Sequence, residues 1–414
     1  MTLERLSVGV GDRFAHQGQA QLAALVAAAA RGIEVVPVWN KSNREHVIIG
    51  TQPATVRAEA EAAVKALGWK KSFYVDADHI SLKTVDIFME ASDFFTLDVA
   101  DYTGKPAEAG DIDKFVARFK SYARKLDIPG MAAPLEVSLE HIRAAAAKYL
   151  FAVQEAGRIY RHVESKKGKG KFVTEVSMDE TDLPQAPAEL LFILAAISAE
   201  GIPAQTIAPK FTGRFNKGVD YVGNLAQFEK EFNEDLAVIA FAVKEFGLPA
   251  NLKLSVHSGS DKFSIYGPIN RALKKSGAGL HLKTAGTTWL EELIGLALSG
   301  KDGLALAREV YRTAFGRYDE LRVPYAPVID IDVKKLPAPD EVDKWSGAQY
   351  AAALKHDLSN KAYNLHFRQL LHISFKVASE MGERYRSALK ANREIIAKNV
   401  VENLLERHIL RVFG

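Results

Sequence analysis

The chain has 414 residues, 48% hydrophobic and 25% charged, a globular composition that excludes disordered and collagen-like chains. Its 54 basic and 51 acidic residues leave a formal charge of +3, and only Lys166, Lys167, Lys169 and Lys171 cluster, which argues against a nucleic-acid partner. There is no cysteine, so disulfides, thiolate metal sites and cysteine nucleophiles drop out together, and any metal must sit on His, Asp or Glu.

Taken in chain order, short β-rich runs fall at 6–10, 33–38, 72–75, 94–99, 172–176, 203–207, 252–256 and 279–282. Helical patterns alternate with them at 19–30, 55–67, 82–90, 112–125, 188–200, 225–246, 265–275 and 289–299. Eight strands each followed by a helix predict an α/β fold, a (β/α)8 TIM-type barrel. An open doubly wound sheet is the alternative, but it usually has fewer strands, and Gly9-Val10-Gly11-Asp12-Arg13-Phe14 lacks the third glycine of a dinucleotide fingerprint. A helical insertion at about 134–163, opened by Ser138 as a cap, breaks the beat after the fourth helix. The barrel is thus expected over 1–300, and 301–414, nearly all helical outside a Pro-rich, acidic connection at 323–343, as a helical C-terminal extension packed on it. The N-terminus lacks a signal-peptide pattern and no apolar run is long enough for a bilayer, so a cytoplasmic protein without a membrane partner is expected.

In a barrel of this kind the working residues lie at the C-terminal ends of the strands. Strand three ends in Asp76-Ala77-Asp78-His79, strand four in Asp98-Val99-Ala100-Asp101 and strand five in Glu175-Val176-Ser177-Met178-Asp179. Lys210 follows strand six, His257-Ser258-Gly259-Ser260-Asp261-Lys262 end strand seven, and strand eight carries His281-Leu282-Lys283-Thr284. Of eleven histidines only His79, His257 and His281 stand at strand ends, whereas His16 and His46 follow strands in loops and the rest fall in helical patterns. Three imidazoles at a barrel mouth suit a borderline divalent cation, Zn, Mn, Co or Ni. Asp78 is expected to splay away from His79 and stand free in the same cavity as an acid or base, with a helix cap as the structural alternative. Glu175 reads as a carboxylate of raised pKa or as an ion-pair partner of Lys210. The segment 209–221 can close over a polyhydroxylated anion through Lys210 and Asp220, or serve as an ordinary structural loop. Arg13 and Lys41, after strands one and two, offer cations for a substrate carboxylate.

Four blocks then resemble one family: Val38-Trp39-Asn40-Lys41-Ser42-Asn43-Arg44-Glu45-His46, Val75-Asp76-Ala77-Asp78-His79, the run from Lys210-Phe211-Thr212-Gly213 to Val222-Gly223, and His257-Ser258-Gly259-Ser260-Asp261-Lys262-Phe263. The resemblance is to the tagaturonate epimerases and runs from the first strand to at least Asp332. It implies a metal-dependent epimerase interconverting D-tagaturonate and D-fructuronate, some members also acting on D-tagatose and D-fructose at carbon 4. It further implies His79, His257 and His281 as metal ligands and Asp78 as a catalytic acid/base. Glu175 is chosen by barrel position as the second acid/base, with Asp179 and Asp220 as alternatives. Arg13, Lys41, Lys210, Asp220, Asp261 and Lys262 make up the expected substrate-binding set. Because the inverted carbon is β to the ketone, enolisation does not acidify its hydrogen, and retro-aldol cleavage with readdition is the expected route, ahead of transient oxidation. A class II-type aldolase, a sugar isomerase and a non-catalytic sugar-binding barrel would share these residues. The expected partner is a small sugar, with self-association into a homo-oligomer left open.

Overall fold

The computed structural model describes residues 1–181, 183–283 and 288–414. Eight parallel strands close a barrel: β1 (Leu6–Gly11), β2 (Val36–Ser42), β3 (Tyr74–Ile80), β4 (Phe94–Asp98), β5 (Val173–Ser177), β6 (Thr206–Ala208), β7 (Lys253–His257) and β8 (Leu280–Lys283). Each overlaps a predicted run, and β1 closes on β8 with Ser7 opposite His281 and Gly9 opposite Lys283. This is the (β/α)8 TIM-type fold, completed by helices at the C-terminal end of the chain.

Alternation along each strand sorts the side chains. Val75, Ala77, Phe95, Leu97, Val176, Leu254 and Leu282 face the helices and are buried there. On the inner face, Leu3, Val36, Val38, Tyr74, Phe94 and Val173 form an apolar plug in the lower barrel. Above it the buried inner residues are polar, among them Asn40, Asp76, Thr96, Glu175, Thr206 and Ser255. Removing that much polarity from water is tolerable mainly where the groups bond one another, as Asp76, Thr96, Glu175 and Thr206 do, whereas the side chains of Asn40 and Ser255 are buried without a hydrogen-bond partner among the described residues.

The crossovers depart from the predicted pattern in two places. The stretch at 82–90 forms only a 3₁₀ turn, Val85–Phe88. Val85 and Phe88 are buried while Ile87 is 49% exposed, and one apolar pair three residues apart closes a 3₁₀ turn without sustaining an α-helical stripe. After β2, the polar run read as a loop is the helix Asn43–Ile49, in which Ser42 and Glu45 form a capping box; His46 lies within it and is buried. The segment placed as an insertion is the helix Leu139–Lys167, capped by Ser138 as expected, which packs between the helices Ala109–Phe119 and Pro187–Ala199.

Beyond residue 300 the helices Lys301–Gly316, Gly347–Leu354, Leu365–His372 and Glu383–Ala391 share one apolar core with Trp289, Leu290 and Leu293 of the helix Thr288–Leu298. Phe14 and Ile49, from the loop after β1 and the helix after β2, join the same core, so the extension is seated on the mouth of the barrel. Among the described residues no helix is long and apolar enough to cross a membrane.

Candidate active site

At the end of β3 the register with β4 shifts between Ala77 and Ile80, and His79 takes a left-handed φ of 52°. This irregularity turns His79 to the same side as Asp78, and its Nδ1 lies 2.8 Å from Asp78 Oδ1. The pair expected to splay apart is therefore hydrogen-bonded. The other ring nitrogen, Nε2, lies 3.5 Å from Asp179 Oδ1. Across the mouth, His257 repeats the arrangement, with Nε2 2.8 Å from Glu175 Oε1 and Nδ1 3.1 Å from Asp179 Oδ2. Each imidazole thus has a carboxylate behind it and turns its second nitrogen toward Asp179, the arrangement that fixes the tautomer of a metal-binding histidine.

Lys283 joins the two halves. Its Nζ lies 2.9 Å from Asp76 Oδ2, 3.0 Å from Asp78 Oδ1 and 3.2 Å from Glu175 Oε1, and it donates to Thr96 Oγ1 at 2.8 Å. Burial pushes Asp76 up to about 7. Against the same burial, Lys283 and His79 hold Asp78 below the ordinary carboxylate range, and Lys283 and His257 hold Glu175 well below it. Asp76, Asp78 and Glu175 in turn raise Lys283 well above a usual lysine.

Three carboxylates, Asp76, Asp78 and Glu175, contact Lys283, and a fourth, Asp179, lies against His79 and His257 and helps to raise the pKa of both imidazoles. Ligand atoms of His79, Asp179 and His257 all lie within 4.8 Å of one another, the one such group among the described residues. His79 Nε2 and His257 Nδ1 are buried and face Asp179 without the geometry of a hydrogen bond. Two imidazoles and a carboxylate, with further carboxylates behind the rings, fit a borderline divalent cation.

The remaining predicted residues fall in different places. His281 stands two residues below Lys283 on the inner face of β8, one layer deeper, with Nδ1 2.9 Å from Ser7 Oγ and its ring 5.3 Å from that of Phe94. It is not part of the His79, Asp179 and His257 group, and burial lowers its pKa to about 3, leaving a neutral core ring. Glu175 is fully buried, accepts from Thr206 Oγ1 at 2.7 Å, and stands behind His257 instead of lining the cavity. Lys41 is on the outward face of β2, buried, and donates to the Arg13 carbonyl at 2.9 Å.

Arg13 does line the cavity, pairing with Glu45 at 2.9 Å beneath the ring of Phe375. Lys210 Nζ donates to the Asp179 carbonyl at 3.4 Å, and Asp220 accepts from Ser264 at the start of the helix Phe263–Ser276. Asp261 is fully buried against Arg368 at 2.8 Å, and Lys262 Nζ is buried on Ser260 Oγ at 2.8 Å. None of these four lines the cavity, because each is consumed by an internal contact. Thr284 lies outside the described residues.

Above the network opens a cavity of about 450 Å³, walled by Asp78, His79, Asp98, Asp179, His257 and Lys283 on the barrel side. Lys217, Tyr325, His372 and Phe375 wall it on the other. Asp98 ends β4 on its inner face, and burial raises its pKa. Lys283 and Asp98 were open to discovery from strand parity, since His281 and Lys283 share a face and the later one is nearer the mouth. His372 carried no signal, because it stands in a helix far along the chain.

Fold and site together define a β/α-barrel enzyme with its polar centre and candidate metal ligands at the C-terminal rim. Over residues 1–411 the chain matches, and belongs to, the tagaturonate epimerase family, and is an isomerase of the epimerase type. It is 29% identical to a tagaturonate/fructuronate epimerase of Thermotoga maritima, over 98% of this chain and 80% of that protein. A glycerol-complexed crystal structure of the fructuronate-tagaturonate epimerase UxaE from Cohnella laeviribosi shares the fold, with a TM-score of 0.82, 22% identity, and coverage of 100% of this chain and 82% of that one. The native crystal structure of the same enzyme aligns at a TM-score of 0.72 and 22% identity, over 98% and 82% of the two chains.

Proposed function

We propose that this protein interconverts D-tagaturonate and D-fructuronate by inverting carbon 4, with a divalent cation held by His79, Asp179 and His257. The observation that carries the reading is the pair of histidines, each backed by a carboxylate and turned toward Asp179, beside a lysine shared by three carboxylates. Zn, Mn, Co or Ni bound there would supply Lewis-acid polarisation of the ketone.

The chain's own residues account for the proton traffic. Asp78, kept ionised by Lys283 and His79, takes the proton of the C4 hydroxyl. The C3–C4 bond breaks, its electron pair passes into the C2–C3 enediolate, and C4 becomes an aldehyde. The aldehyde turns over, the enediolate carbon re-forms the bond on the opposite face, and the new C4 oxygen takes a proton from Asp98, whose raised pKa suits a donor. Lys283 holds Asp78 ionised until it takes the proton, and Glu175 holds His257 in place.

The test is NMR of D-fructuronate incubated in D₂O with enzyme loaded with each metal, with D-fructose in parallel. Tagaturonate that keeps protium at C4 is the expected product. Deuterium at C4 would exclude the cleavage route, a released three-carbon product would mean an aldolase, and no conversion by folded, metal-loaded protein would end the reading. His257→Ala should lose both bound metal and turnover while its circular dichroism stays native.

A further inference from the structure

From the wall opposite the histidines we infer a carboxylate anchor, built from Lys217 on the loop after β6 and His372 of the C-terminal extension; it rests on the uronate reading above. Both residues line the cavity. Among the other cations near the mouth, Lys41 and Lys210 are spent on carbonyls, Arg13 on Glu45 and Lys283 on three carboxylates, while Arg44 lies over the ring of Tyr325. Lys83 also lines the cavity without a side-chain partner among the described residues, but it is exposed at the rim and has no buried neighbour such as His372 beside it. Lys217 Nζ has neither a hydrogen bond nor an ion pair to a described residue, although its own backbone is pinned by Val328 O at 2.8 Å and Gln369 Nε2 at 3.2 Å. His372 is 3% exposed, and its Nδ1 is buried with no hydrogen-bond partner. An ammonium and an imidazole held side by side without an internal acceptor are suited to an anionic ligand.

Two glycines make the room. Gly259, two residues beyond His257, has a φ of 64°, and a Cβ there would lie 3.3 Å from Lys217 Nζ. Gly218 has a φ of 78°, and a Cβ there would lie 3.0 Å from His372 Cβ. Both backbones are in the left-handed region where a side chain is strained, so the two donors are brought in by backbone that leaves them space. Burial, Arg13 and Lys217 hold His372 well below the usual histidine pKa, so it is a neutral N–H donor beside the lysine charge.

The anchor has a chemical purpose in the proposed route. When the C3–C4 bond breaks, the aldehyde fragment carries the carboxylate at C6, and an ammonium holding that carboxylate keeps the fragment in the site while C4 presents its other face. A neutral ketose has no such handle, so the same two residues set the preference for a uronate.

The experiment measures equilibrium binding of D-fructuronate and of D-fructose by calorimetry to the metal-loaded protein, for wild type, Lys217→Met, Lys217→Arg and His372→Phe. Charge-assisted hydrogen bonds of this kind correspond to a roughly ten- to hundredfold drop in fructuronate affinity for Lys217→Met. The ratio of fructuronate to fructose affinity should collapse in Lys217→Met, be largely kept in Lys217→Arg, and fall by a smaller factor in His372→Phe. A ratio that stays at the wild-type value in Lys217→Met, or a wild type with no preference for fructuronate, overturns the anchor. Wild type that binds fructuronate in a Lys217-dependent manner yet interconverts nothing would overturn the epimerase reading and leave the anchor standing.

Discussion

Glu175 shares one oxygen between His257 and Lys283 at the centre of the site, so Glu175→Gln keeps the volume and removes the charge that orients the histidine. A carboxylate of this kind behind a metal ligand is worth roughly ten- to a hundredfold in metal affinity. Chelator competition should show that loss for Glu175→Gln, with kcat at saturating metal largely retained. Unchanged affinity with a collapsed kcat would instead return Glu175 to the acid/base role first expected of it. Asp78, His79 and His257 were legible in the sequence because histidines at strand ends are few and their neighbours are acidic. Where the structure sets a predicted residue away from the cavity, the physical cause is shared: side chains alternate every residue, and a strand end uncertain by one or two positions exchanges the mouth for the layer below, or the cavity for the helix face. His281, one layer below Lys283 on the inner face, is the first kind of exchange, and Lys41, on the helix face of β2, is the second. The bulge at His79 adds a further difficulty, since no periodic reading anticipates a histidine at positive φ.

Among the elements, the helix Thr288–Leu298 buries Glu291 against the π-helical turn Asn403–Ile409, where Asn403 Nδ2 donates to it at 3.1 Å and Arg368, Arg407 and Lys355 lie near enough to act on its charge. Burial pushes Glu291 up to about 7. Its folded pKa therefore lies above the unfolded value of about 4.3. The folded state binds the extra proton between those two values, so stability is undiminished below pH 4 and is lost as pH climbs toward 7. Glu291→Gln removes that penalty. Urea midpoints should be higher than wild type at pH 8, by the equivalent of about 3–4 kcal/mol, with the gap closing near pH 4.5. Equal midpoints at both values would mean that the carboxylate is solvated in solution. Strands were the most legible elements, because short β-branched and aromatic runs recur between helical patterns. The helix Asn43–Ile49 was hidden because a capping box spends the same Ser and Glu that make a loop look polar.

At the scale of the molecule, the barrel and its extension meet around the fully buried Asp261. Arg368 donates to Asp261 at 2.8 Å and to the Leu354 carbonyl at 2.7 Å, and its Nε reaches the Gly218 carbonyl. His356 and His408 approach the same carboxylate at 3.3 Å each. Arg368→Met leaves a buried charge without its main partner, a loss on the order of 3–5 kcal/mol, and the double variant with Asp261→Asn should recover part of it. Denaturation midpoints of the two single variants and the double variant test this; strictly additive losses would deny the coupling. The helical character of the extension was readable locally, but its contact with residues more than a hundred positions earlier was not, because periodicity reports which face is apolar and never what covers it.

That contact bears on when the enzyme becomes competent during synthesis. The strands that close the barrel are all made by residue 283, and domains generally fold as they emerge, the N-terminal parts first. Yet Tyr325, His372 and Phe375 complete the cavity, and Arg368 braces Gly218 and Asp261. A nascent chain with a finished barrel would therefore hold its histidines beneath an unroofed mouth, and activity would be the last property it acquires.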